Sequence, residues 1–370
     1  MNRGLKWMGL LALALVYGGM MWRVLGADPV PNTFVNGEVA DADKVNANFQ
    51  TLTQQLTALE SQIPALTSGV TALQPASTVV VHPTLGNAAA SGPALLAAMA
   101  TITGPSSTRP FALVLEPGIY DLGSSSLTMK SYVDLVGSGF NTTVIKSTSA
   151  SGTIVGAEAS EIRNVTIQSD GGTAIAFTNV SFSLPNFAYL RGVSIYATGT
   201  TVTGVSMNNS IVMIRDADIY VAGSVDQTGV SATGTGFLGM IAVNFPDPDS
   251  NNIGTAISLS GGIGATLNTV ESHGHYATAL SITGNGTSVR ANGLHMESGT
   301  VGLSVTDNSD VHVQASFLQG DTDAILVATG GAADVATSLV NGSVSVTGGG
   351  TLTCVFDHNF DSLALDANCQ

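Results

Sequence analysis

The chain predicts an all-β protein, a solenoid of stacked coils preceded by a short α-helical coiled-coil stalk. Three observations predict it. From about residue 158 the sequence repeats with a period of about 23, and periods of that size belong to solenoids. Each unit holds two or three short Val/Ile/Leu/Ala runs split by Gly, Asn, Asp and Ser, with no helical periodicity between them, which selects β coils over helix pairs. Residues 45–73, by contrast, keep an apolar seam at alternating spacings of four and three, the heptad signature.

Composition sets the outer limits. With 44% hydrophobic residues the chain can bury a core, so a disordered chain is excluded. Arg3 and Lys6 precede an apolar run from Trp7 to Trp22, and small residues at 24–27 offer a cleavage point after Ala27. Residues 1–27 therefore read as a secretory signal peptide, and the mature protein as secreted, extracellular or on the cell surface of a bacterium. The alternative is an uncleaved anchor, although the run falls short of a span of ~20 residues. Cleavage would leave eight basic residues against 26 acidic ones, a net −18. That balance speaks against nucleic acid, and against an anionic membrane except through an uncleaved signal segment.

Residues 28–76 form linker and helix. Asp41 and Asp43 stand where acids favour a helix start, and Val45, Phe49, Leu52, Leu56, Leu59, Ile63, Leu66, Val70 and Leu73 form the seam. A lone helix cannot bury such a seam. It either packs on the body of the protein or pairs with copies of itself, and a homotrimer through 45–73 is the favoured form. Pro64 is expected to interrupt the backbone ladder, and Gly69 to weaken it. The stretch "VPNTFVNGEVADADKVNANFQTL" (30–52) resembles a module at the start of many exported bacterial surface proteins.

The body is expected over 77–355. "PALLAAMATI" (93–102) reads as a short helix plugging the first coil. The segment "FALVLEPGIYDLGSSSLTMKSYVDLVGSGFNTTVI" (111–145) carries a "PG-x-Y" turn, a strand, a "V-x-L-x-G-x-G" strand and a "T-x-I" strand. With the repeats that follow, it resembles the right-handed parallel β-helix, or pectin-lyase-like, superfamily over roughly 78–355. The resemblance implies a single right-handed parallel β-helix with a helix at one end, and a role toward polysaccharides.

Each repeat opens on one short motif, first seen as Ile162, Arg163, Asn164, Val165, Thr166 and Ile167. Strand alternation points Ile162, Val165 and Ile167 inward and the second and fifth positions outward, while the third is a turn that Asn and Gly tolerate. Read down the units, the second position gives Arg163, Arg191, Arg215, Ile241, Asn268 and Arg290. The fifth gives Thr166, Ser194, Asp218, Asn244, Glu271 and Gly293. One step beyond come Gln168, Tyr196, Tyr220, Pro246, His273 and His295. Arg, acids, Tyr and His are thus expected on one outer face, with His275 and Glu297 near its edge and His312 further on. Four of the five Arg beyond residue 27 fall in one column.

That face supports three readings. Arg163, Arg191, Arg215 and Arg290, with Asp218 and Tyr196, would bind an acidic polysaccharide, since guanidinium forks suit carboxylates and aromatic faces suit sugar rings. A polysaccharide lyase or glycoside hydrolase would draw a base, an acid or a carboxylate pair from His273, Glu271, His295, Glu297 and Tyr220. An ordinary polar surface would pair the Arg column with Glu161, Asp216 and Asp218 at little gain. A structural spacer or filament subunit also fits the rod. The superfamily's Asp-rich calcium constellation is absent, and no Lys falls in a repeat.

No cofactor is required. Calcium enters only through Asp247 and Asp249 in the loop 246–252, whose spacing matches no compact motif. A metal on His273, His275, His295 and Glu297 is a further option. The two cysteines, Cys354 and Cys369, are expected to form a disulfide that closes the tail 356–370, with free thiols or a metal pair as the alternative.

Overall fold

A computed structural model of the chain describes residues 30–34, 36–37, 39, 41–73 (backbone only beyond 64), 77–181, 187–246, 253–274, 276–355, 358–359 and 365. The expected signal segment 1–27, the loop residues Asp247 and Asp249, His275 and Cys369 lie outside the described residues. The chain divides into two compact units, Met1–Gln74 and Pro75–Gln370.

The first unit is built on α1, Ala42–Leu73. Asp41 starts it by accepting the Asp43 amide at 2.9 Å. Asn32 and Asn48 exchange hydrogen bonds, Asn32 N to Asn48 Oδ1 and Asn48 Nδ2 to Asn32 O, which tie the preceding segment to the first turns. The helix runs through Pro64, contrary to the expected interruption. Phe49, Leu52, Leu56, Leu59 and Ile63 are all exposed, so these five seam positions form an apolar stripe.

The second unit is a parallel β-solenoid of about nine turns. Every registered strand pair among the described residues is parallel, from Thr78–Val81 against Phe111–Leu115 onward. The core is one stack of inward residues. Ile162, Val165 and Ile167 are buried as the alternation requires, and Leu190, Val193 and Ile195 lie beneath them, followed by Ile214, Ala217 and Ile219. From Asn164 onward the third motif position is a left-handed turn: Asn164, Gly192, Asp216, Ala242, Thr269, Gly293, Ala315 and Thr337 have φ between 49° and 65°.

The first coil is closed by α2, Ala88–Thr101, which begins five residues before the expected 93. Asn87 caps it by accepting the Ala90 amide, and Gly92 is required because a Cβ there would sit 1.8 Å from the carbonyl oxygen of Asp121. Ser91, Gly92 and Pro93 all lie within the helix. Lys130 closes the other end, its Nζ donating to Met99 O at 2.8 Å and Ile102 O at 2.6 Å. In the "PG-x-Y" turn, Tyr120 is fully buried, and its hydroxyl lies 2.9 Å from Val81 O and 3.0 Å from Glu116 O. Burial and the charge of Glu116 push its pKa up to about 12.

Two outward positions are corrected. Thr166 and Ser194, expected at the surface, are buried; Thr166 Oγ1 accepts the amide of Asn141 from the loop folded over it. Arg290 is not beneath Asn268. Its register partners are Thr266 and His312, and Asn292 stands opposite Asn268. A shift of two residues leaves the inward–outward alternation intact, so the core does not report it.

Candidate functional site

The outer surface expected as one face is two strips separated by the left-handed turn. On the first, the second-position column runs Arg163, Arg191, Arg215, Ile241, Asn268, Asn292, Gln314 and Ala336. Beside it, two residues earlier in each strand, lie Glu161, Tyr189, Met213, Gly239, Thr266, Arg290, His312 and Asp334.

Glu161 decides what the upper part of this strip does. Its carboxylate takes Arg163 Nη1 at 3.4 Å and Arg191 Nε at 3.0 Å, so these two guanidinium groups are committed within the surface. The amide of Glu161 donates to Asp134, whose pKa is raised, chiefly by burial. Arg215 and Arg290 are exposed and make no ion pair among the described residues. Arg163 and Arg191 thus make the kind of surface pairing with Glu161 that an ordinary polar surface would.

Lower on the strip is a shallow groove of about 320 Å³, lined by residues that include Asn268, Arg290, Asn292, His312, Gln314 and Asp334. His312 Nδ1 is 3.0 Å from Asp334 Oδ2. Asn292, Gln314 and Asp334 carry no signal in the sequence on their own; only the corrected register gathers them. Gly293 is the signal that fixes that register. Placed at the left-handed turn, where glycine belongs, it moves Asn292 under Asn268.

The second strip lies beyond the turn. One column runs Asp218, Asn244, Glu271, His295 and Phe317. In the next, Tyr196 stacks on Tyr220 with ring centroids 5.8 Å apart. Strand Gly236–Phe245 separates Tyr220 from His273, so Tyr220 is not brought to the His/Glu group. Asn244 Nδ2 donates to Asp218 Oδ1 at 3.2 Å, which occupies Asp218 within the surface.

His295 stands opposite Glu271, not His273, and His273 stands over Glu297 because Ser272 pairs with Met296. Two successive strands thus present Glu-x-His over His-x-Glu, a checkerboard of four half-exposed groups. His273 Nε2 is 3.3 Å from Glu271 Oε2, and His295 Nε2 is 3.7 Å from Glu297 Oε2. Across the strands, His273 Nδ1 lies 4.0 Å from Glu297 Oε2. The His273 and His295 rings are 5.1 Å apart, and Phe317 backs His295 at 4.7 Å. The arrangement can exchange protons with an approaching group or offer imidazole and carboxylate ligands together.

No family model matches the chain, and no curated protein matches it. Among solved structures it is similar to the A-module of the mannuronan C-5 epimerase AlgE4 of Azotobacter vinelandii, with TM-score 0.48 and 11% identity, over 73% of this chain and 91% of that one. It is similar to the pectin methylesterase PemA from Erwinia chrysanthemi, with TM-score 0.36 and 13% identity, over 72% and 80% of the two chains. It is also similar to the catalytic domain of a GH87 α-1,3-glucanase in complex with nigerose, with TM-score 0.42 and 10% identity, over 78% of this chain and 65% of that one.

Proposed function

We propose that the protein is exported, loses residues 1–27, and binds acidic polysaccharide along the strip that carries Arg215 and Arg290, at the cell surface or outside the cell. The groove at Arg290 carries this reading. It joins a guanidinium with no ion pair among the described residues to a ladder of amides, Asn268, Asn292 and Gln314. Guanidinium forks take carboxylates, and side-chain amides both donate to and accept from hydroxyls. Successive rungs are ~4.8 Å apart, close to the length of one sugar ring, so like residues on successive rungs can meet successive sugars. A pairing of Cys354 with Cys369 would tie down the tail after the last coil; Cys354 is buried and is not a free thiol.

A lyase or hydrolase centred on Glu271, His273, His295 and Glu297 is the second reading, supported by their checkerboard and exposure to solvent. One experiment addresses both. The mature protein is run against a panel of acidic and neutral polysaccharides for retention, new reducing ends and ultraviolet absorbance of a new double bond. Retention on acidic chains, weakened about tenfold or more in Arg290→Ala, is expected, since a charged hydrogen bond contributes ~1.5–3 kcal/mol. Unchanged retention in the double variant Arg215→Ala/Arg290→Ala would overturn binding along this strip. Chain cleavage lost in His273→Ala would move the conclusion to the second reading.

A further inference from the structure

We propose that His273 Nδ1, His295 Nε2 and Glu297 Oε2 form a binding site for a transition-metal ion of the zinc type, with one coordination position left to solvent. The site is independent of the polysaccharide reading, which rests on the other strip.

The three ligand atoms all lie within 4.8 Å of one another. The two nitrogen-to-carboxylate distances are 3.7 and 4.0 Å. A tetrahedral zinc with ligands at ~2.0–2.2 Å holds neighbouring ligand atoms ~3.3–3.5 Å apart, so small side-chain rotations close the set. All three side chains are half-exposed. The backbone supplies the rest. His273 and His295 come from two neighbouring parallel strands, and Glu297 lies two residues from His295, on the same side of its strand.

A second observation points the same way. Glu271 lies 3.3 Å from His273 Nε2, the nitrogen the metal would not use. An Nε2–H donated to that carboxylate leaves the lone pair on Nδ1, facing Glu297. This is the carboxylate–histidine–metal relay that orients ligating imidazoles. His295 lies between the rings of His273 and Phe317, which pack against both of its faces at a tilt. Glu271 and Glu297 together balance a divalent charge. A nitrogen-rich set of this kind suits zinc and its neighbours over calcium or magnesium, which take oxygen ligands.

The test uses untagged mature protein, stripped with chelator and titrated calorimetrically with Zn²⁺, with Ca²⁺ and Mg²⁺ as controls. Cobalt(II) substitution reads coordination geometry by its visible absorption. One equivalent of zinc and a four-coordinate cobalt spectrum are expected. His295→Asn and Glu297→Gln should lose that equivalent, and Glu271→Gln should weaken it about 10- to 100-fold. Thermal melting in chelator confirms that each variant is folded. No zinc uptake at micromolar concentration would overturn the proposal, as would equal uptake by wild type and His295→Asn, which would place the metal on groups other than this set.

Discussion

Tyr120 closes the start of the coil with one hydroxyl set between two carbonyl oxygens, those of Val81 and Glu116. Replacing it with Phe keeps the packing and leaves both carbonyls without that partner, a loss of about 1–3 kcal/mol in chemical denaturation. The raised pKa adds a sign. An acid whose folded pKa exceeds its ordinary value near ~10 stays protonated longer in the folded state, so stability falls as pH rises from there through about 12. Tyr120→Phe should flatten that alkaline slope while lowering stability at neutral pH. A variant as stable as wild type at neutral pH would remove the closure role.

Among strands and turns, the left-handed position is where sequence and backbone disagree most. Thr269 and Thr337 hold φ of 51° and 53°, a conformation that β-branched residues rarely adopt. Thr269→Asn should stabilise the coil by roughly 0.5–1 kcal/mol, read as a higher melting temperature, because Asn tolerates this region. A fall in melting temperature would mean that Thr269 makes a compensating contact. The same turn explains what was legible. Val165, Val193 and Val270 mark the inward rows by alternation alone, and Asn164 and Gly192 mark the turn. Ala242, Thr269 and Ala315 occupy it without any such mark, and Gly293, which does mark it, was placed in the fifth position and not the third, so the phase slips by two at Arg290. The Glu/His group survived that drift as a set of outward residues. Its pairing, His295 with Glu271 and His273 with Glu297, did not. Thr166 was misplaced for another reason: the loop that carries Asn141 covers it, and strand alternation knows nothing of loops.

The whole molecule has an apolar stripe to account for. Helices draw most of their stability from a packed face, yet Phe49, Leu52, Leu56, Leu59 and Ile63 of α1 meet solvent. A homotrimer through 45–73 would bury them, and light scattering on mature protein should return three times the chain mass. Leu56→Asp with Leu59→Asp should return a single chain with an unchanged β-sheet circular dichroism signal. A wild-type monomer at micromolar concentration would leave the stripe to some other partner. No helix among the described residues is long and apolar enough to cross a membrane.

Parallel stacking in register carries a consequence for how such a surface can change. Every outward slot on a coil has a counterpart directly above and below, in nearly the same backbone setting. Duplicating or deleting one whole coil would slide everything beyond it by one step of ~4.8 Å without recasting the interior. The separation between Arg215 and the Glu271–His295 pair is therefore adjustable only in whole steps. A reach tuned to a repeating chain would be altered by counting coils, as one adds links to a ruler, and not by moving any single side chain.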